Sequence, residues 1–494
     1  MWEPGRAIVD AGRDTEWYEG ERAMNLLNHQ SGIYTDFYQL TMAQGYFLTG
    51  RATTQSCFDY FFRENPFNGG YVIFAGLSDV LEVLESLTFD ERSISFLRGL
   101  GFKPPFLEYL KEMKFQGTVT SVREGEVVFP MEPLLRVEGT LVEAQIIETV
   151  LLNLLNFESL IATKASRVKA AAGGRRIVDF GLRRAQGLGG IHGTKAAIIG
   201  GIDATSNVYA ALQNDFPVSG TQAHSWIQSF DDELAAFRKY AEVYPDKCIL
   251  LVDTYNTLKS GIPNAITVGK ELERSGNRLQ AIRLDSGDLA YLSKRARQML
   301  DQAGLSYVKI VVSNQLDEYV IRSLLEDQGA PIDVFGVGTR LITGQSSAAL
   351  DGVYKLSMSD GVPRLKFSEN YTKLTLPGIK SIHRYFNGDG LFYADAVALH
   401  DESAPDCIHH PVFPEQKSIL KQYPSEALMH RVMEKGQVIF KSSAQESAAY
   451  AKERLTHLPT EHKRFEFPHL YKVGISQKLM ALRTKLVDDF QREK

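Results

Sequence analysis

Three features of the 494-residue sequence predict an α/β protein: an irregular TIM-like barrel of parallel strands joined to a composite, mostly-β α+β domain made from both chain ends. From Gly174 to about residue 356, apolar runs of a few residues alternate with helical stretches, the pattern of parallel strands covered on both faces by crossover helices. Those runs end in polar and mostly charged residues, which in a barrel gather on one rim. Ahead of them the chain reads as short alternating strands followed by one long helix with a broad apolar face.

Taken in order, residues 1–30 are polar and weakly patterned and are read as a leader of uncertain order. Residues 31–172 form the N-terminal α+β domain. Thr35 or Asp36 is placed to cap a helix that carries Tyr38 one turn in. A strand follows at 56–62, a turn-rich loop at 63–70, and strands at 117–122 and 127–130. Residues 143–172 read as a long helix ended by Gly173-Gly174. The barrel, residues 173–370, takes its strands from 176–180, 218–220, 248–252, 281–284, 310–312, 334–337 and 353–356. The C-terminal part, 371–494, shows a strand near 437–440, a helix over 444–455 and a last helix from Gln477. It is expected to pack back on the N-terminal domain.

Composition removes several function classes. A hydrophobic content of 44% supports a large core, and a net charge of −5 gives no general attraction to nucleic acid or to an anionic membrane. Cys57, Cys248 and Cys407 form no C-x-x-C pair, so reduced thiols in the cytoplasm are expected rather than a zinc or disulfide framework. No run is long enough to span a bilayer. The segment Gly187-Leu188-Gly189-Gly190-Ile191-His192-Gly193-Thr194-Lys195 fits neither the P-loop nor the dinucleotide fingerprint, and G-x-S-x-G and H-E-x-x-H are absent.

The strand ends carry the chemistry. Asp179-Phe180-Gly181-Leu182-Arg183, Thr221 with His224, Asp253-Thr254, Asp285-Ser286-Gly287-Asp288, Ser313-Asn314 and Gly338-Thr339 follow successive runs. Arginine forks at 183 and 283 suit phosphate or carboxylate groups, and the carboxylates of Asp203, Asp253, Asp285 and Asp288 suit Mg²⁺ carried on a polyphosphate. This inventory fits phosphorylated-sugar chemistry. His224, in Gly220-Thr221-Gln222-Ala223-His224-Ser225-Trp226, is open to three roles: general acid/base, phosphate acceptor or metal ligand. Milder readings are an Arg183–Asp179 ion pair and a simple helix cap at 285–288.

The stretches Tyr34-Thr35-Asp36-Phe37-Tyr38-Gln39, Asp179-Phe180-Gly181-Leu182-Arg183-Arg184, Gly220-Thr221-Gln222-Ala223-His224-Ser225, Arg283-Leu284-Asp285-Ser286-Gly287-Asp288, Gly336-Val337-Gly338-Thr339 and Thr375-Leu376-Pro377-Gly378 together resemble the nicotinate phosphoribosyltransferases. The resemblance implies ATP-assisted, ligase-type transfer of phosphoribose from phosphoribosyl pyrophosphate to nicotinate, giving nicotinate mononucleotide for NAD synthesis. It implies ATP and substrate-bound Mg²⁺ as cofactors and no protein-held metal. His224, Arg283 and Asp285 would be catalytic, with His224 phosphorylated by ATP. Tyr38, Phe180, Arg183, Asp203, Thr221, Ser225, Gly338 and Thr339 would hold substrates. A homodimer with sites at its interface is implied too, Tyr38 reaching across. Competing expectations are a nicotinamide- or quinolinate-using relative, or a non-catalytic barrel that binds sugar phosphates.

Overall fold

The computed structural model describes residues 28–366 and 375–492; residues 1–27, most of the expected leader, lie outside the described residues. Its centre is a six-stranded parallel sheet in the order Ala204–Thr205, Arg176–Asp179, Val334–Val337, Lys309–Ser313, Ala281–Leu284, Ile249–Leu251. Val218 adds a single parallel bridge to Thr205 beyond the first of these. The strands are continuous apolar runs because both faces are covered: Ile177, Leu250, Ile282, Ile310 and Phe335 share one core with residues of the surrounding helices. Asp288 and Asp317 start two of those helices, each side chain accepting a hydrogen bond from the first-turn backbone.

This sheet is curled. Laid flat, Val218 and the strand Ala281–Leu284 would be five strand spacings apart, roughly 24 Å at about 4.8 Å each. Yet Thr221, just past Val218, accepts a hydrogen bond from Arg283 at 2.9 Å. The two ends of the sheet therefore face each other, and side chains at the rim join them.

Two of the seven expected runs behave differently. Residues 353–356 belong to Gly352–Ser359, which pairs antiparallel with Gln55–Phe62 in a separate sheet. That strand is only partly covered, so its apolar residues mark a half-buried face and not a strand buried on both sides. Residues 218–220 contribute one bridge instead of a strand, and the place beside Arg176–Asp179 goes to the two-residue strand Ala204–Thr205, too short for periodicity to reveal.

The first antiparallel sheet has seven strands and draws on both chain ends, because His430–Glu434 pairs with Thr118–Ser121. The C-terminal part also builds its own six-stranded sheet around Lys380–Phe386 and Phe392–Leu399, and its helix Ala444–His457 packs on the barrel helix Gly189–Ile199. A buried ionic cluster fastens these layers: Glu126 meets Arg384 at 2.6 Å and Arg454 at 2.8 Å, and Arg384 also meets Asp395 at 2.6 Å. Such charges tolerate burial because each has a close opposite partner. No helix among the described residues is long and apolar enough to cross a membrane.

Candidate active site

Period-two geometry puts Arg283 and Asp285 on the same face at the end of the strand Ala281–Leu284. The guanidinium spreads its fork over three neighbours: Nε donates to Ser313 Oγ at 3.0 Å, Nη1 to Thr221 Oγ1 at 2.9 Å and Nη2 to Asp285 Oδ1 at 2.8 Å. Ser313 Oγ in turn donates to the same Asp285 oxygen. Two strand ends and the segment after Val218 are thereby locked by one cation, and two of its five N–H donors remain for a ligand.

The ring of Phe180 lies under that guanidinium, 5.2 Å from its carbon, a cation–π distance. Two glycines make room for it. A Cβ on Gly336 would fall 2.3 Å from Phe180 Cε2, and one on Gly338 would fall 3.1 Å from the Phe180 carbonyl oxygen. Gly338 then caps the short helix Thr339–Ile342, so Thr339 is its first residue. Below Phe180, buried Asp179 accepts from Gly181 N, Thr194 and Thr205 and anchors the loop. Burial pushes its carboxyl above the ordinary carboxylate range, against those three bonds.

His224 opens the helix His224–Gln228 on the facing edge. Its Nδ1 is 3.0 Å from Thr254 Oγ1, and its Nε2 is 3.8 Å from Asp285 Oδ2. Ser225 follows and is exposed. Asp253 braces the site from behind, Oδ2 accepting from Asp285 N and Ser286 Oγ at 2.7 Å each, while its Oδ1 is buried without a partner. For Asp285, burial works against ionisation, but Ser313, Arg283 and His224 together outweigh it and hold the carboxyl below its ordinary 3.8.

The expected residues thus divide. Phe180, Thr221, His224, Arg283 and Asp285 come together, with Gly338 and Thr339 beside Phe180. Arg183 is exposed on the loop after Phe180 and takes no part in the Arg283 network among the described contacts. The Arg183–Asp179 ion pair does not form, since Asp179 is held by Gly181, Thr194 and Thr205. Asp203 does not reach the rim. It sits at the opposite end of the strands, paired with Lys169 at 2.7 Å and accepting from Ile177 N at 2.7 Å, because it precedes its strand instead of following it. Tyr38 is half exposed in the N-terminal domain near Asp36 and Glu148, and among the described residues of one chain no contact links it to the rim. Asp288 is a helix cap.

Ser313, Thr254 and Gln222 join the site without a role assigned from sequence, although Thr254 and Ser313 stand at two of the polar strand ends. The structure adds that Asn314 and Gln315 after Ser313 both take positive φ, 88° and 50°, a strained arrangement typical of functional turns. Gln222 is buried with neither amide atom bonded, which sequence alone does not reveal.

Comparison with known proteins identifies the family. Family models of the nicotinate phosphoribosyltransferase N-terminal domain, the nicotinate phosphoribosyltransferase family and the C-terminal domain match residues 33–156, 175–360 and 379–483. The chain is 42% identical to a nicotinate phosphoribosyltransferase of Bacillus subtilis over 93% of this chain and 98% of that protein. It is 37% identical to one of Caenorhabditis elegans over 90% and 92%. The crystal structure of human nicotinic acid phosphoribosyltransferase superposes with a TM-score of 0.82 at 32% identity, covering 92% of this chain and 99% of the human one. By matches that run from the N-terminal sheet through the barrel to the C-terminal part, the chain belongs to the nicotinate phosphoribosyltransferase family.

Proposed function

We propose that the chain catalyses the condensation of nicotinate with phosphoribosyl pyrophosphate to nicotinate mononucleotide and pyrophosphate, in NAD biosynthesis, and that ATP assists it through a phosphohistidine at His224. The observation that carries the reading is the Arg283 fork, held by Thr221, Ser313 and Asp285 over Phe180 with two donors to spare. An aromatic carboxylate matches both parts: its ring stacks on Phe180 while its carboxylate takes the free guanidinium donors. The pyridine nitrogen then attacks the anomeric carbon, forming the N–C bond as the C–O bond to pyrophosphate breaks. Positioning and charge stabilisation supply most of the acceleration. Asp285, braced from behind by Asp253, is a hard-oxygen donor that fits a Mg²⁺ arriving on the pyrophosphate, which would neutralise the leaving group.

With Nδ1 engaged by Thr254, Nε2 of His224 is the nitrogen left to attack the γ-phosphorus of ATP, releasing ADP. Asp285 lies close enough to stabilise the positively charged ring that results. Loss of the phosphoryl group to water returns His224 and couples ATP hydrolysis to turnover.

The reading includes a homodimer. Tyr34, Phe37, Tyr38 and Met42 are exposed apolar residues at the start of the N-terminal domain, and Leu182, Leu188, Val208 and Leu212 are exposed on the segments that follow Phe180 and Thr205. Two-fold pairing that covers such residues would bring Tyr38 of the partner subunit to the rim. The test is nicotinate mononucleotide formation with and without ATP, with nicotinamide and quinolinate as alternative acceptors. Turnover with nicotinate, stimulated by ATP and accompanied by an acid-labile label at His224, supports the reading. Phosphoribosyl pyrophosphate binding without release of pyrophosphate on any acceptor refutes it.

A further inference from the structure

Away from the rim, a cavity of about 540 Å³ lies between the N-terminal domain and the barrel, walled by Tyr34, Phe157, Leu188 and Tyr209 among others. Its polar end carries Asp79, His192 and Lys195. Beside them is Glu158, fully buried, with neither carboxylate oxygen bonded to a partner at hydrogen-bonding geometry. Leaving both oxygens of a buried carboxylate unbonded is costly. Two other buried carboxylates show the contrast: Glu126 and Asp395 are met by arginine donors at 2.6 to 3.0 Å.

The spacing of the three groups is specific. His192 Nδ1 is 3.5 Å from Asp79 Oδ2 and 3.4 Å from Glu158 Oε1, and donor atoms of all three residues lie within 4.8 Å of one another. Those separations are long for N–H···O hydrogen bonds, which centre near 2.9 Å. The two His192 separations are close to the edge of a tetrahedron, about 3.3 to 3.4 Å, for ligands about 2.0 to 2.1 Å from a central zinc ion. Lys195 Nζ bonds Asp79 Oδ2 and Ser78 Oγ at 2.7 Å each, but a carboxylate has lone pairs for a second partner.

We propose that Asp79, Glu158 and His192 form a binding site for a zinc-class divalent cation, with its fourth position open to the cavity. One imidazole and two carboxylates are a borderline-to-hard donor set that suits Zn²⁺ and its first-row neighbours. The ligands come from three helices: Leu77–Glu85 of the N-terminal domain, the long helix Glu148–Ala171, and Gly189–Ile199 of the barrel. A cation here ties the two domains together just where the loop after Phe180 runs into its helix.

The experiment uses the full-length protein stripped with chelator and dialysed against Zn²⁺ and, separately, Co²⁺. One zinc equivalent per chain by elemental analysis, with the visible absorption of four-coordinate Co²⁺, is the expected result. Glu158→Gln and His192→Ala should each weaken binding at least tenfold and abolish the zinc-induced rise in Tm. Stoichiometry well below one in the wild-type protein, a six-coordinate Co²⁺ spectrum, or unchanged affinity in both variants overturns the site. If a variant fails to fold, the wild-type Co²⁺ spectrum and stoichiometry decide the matter alone.

Discussion

Asp285→Asn isolates the contribution of one charge to the rim. The substitution keeps the shape of the side chain but removes the anion that faces Arg283 Nη2 at 2.8 Å, the Ser313 hydroxyl and His224 Nε2 at 3.8 Å. A hydrogen bond to a charged partner contributes about 1.5 to 3 kcal/mol. If the role of Asp285 is to orient the guanidinium against the reacting ring, that energy is lost from the transition state, and kcat/KM falls roughly 10- to 150-fold. Steady-state formation of nicotinate mononucleotide measures it. Because the folded-state carboxyl is held below its ordinary 3.8, its stabilisation is fully present at neutral pH and is lost as pH falls through that folded value. The Tm gap between wild type and Asp285→Asn should therefore be largest near pH 7 and narrow progressively below about pH 4. Activity within twofold of wild type, or a Tm gap independent of pH, refutes the reasoning.

Other outcomes follow from the same contacts. Gly336→Ala drives a methyl group into the Phe180 ring and should lower stability by about 1 to 3 kcal/mol, seen as a lower Tm together with a raised KM for nicotinate. Mixing Tyr38→Ala and Arg283→Ala chains, each inactive alone, and allowing subunits to exchange should restore about a quarter of wild-type activity, since half the dimers are mixed and each mixed dimer has one intact site; no recovery would place Tyr38 and Arg283 in the same subunit's site or remove Tyr38 from it. Asp203→Asn, which touches only Lys169 and the start of a strand, should leave kcat and the KM for nicotinate within about twofold of wild type, as expected of a partly exposed pair. Arg384→Ala takes from buried Asp395 its arginine partner and leaves Glu126 with Arg454 alone as a cation, and should cost about 3 to 5 kcal/mol, read as a large fall in Tm or loss of folded protein.

The elements that sequence placed well share one property: their signal is local. Strands buried on both faces are apolar over most of their length, so 176–179, 249–251, 281–284 and 334–337 stand out, as do the polar residues at and just past their ends. Where the outcome rests on a partner far along the chain, the signal vanishes. Gly352–Ser359 looks like another barrel strand until its pairing with Gln55–Phe62 is seen, and Asp203 looks like a rim carboxylate until its strand proves to begin after it.

Alone, then, the sequence determined the alternation of strand and helix, the polar strand ends and the residue types available for anion chemistry, because periodicity and turn chemistry act over a few residues. Only the tertiary structure decided which of those residues meet. Curling brings Thr221 to Arg283, and packing of three helices brings Asp79, Glu158 and His192 within 4.8 Å. Such meetings depend on how sheets close and helices pack across long stretches of chain, and no short window of sequence contains that information.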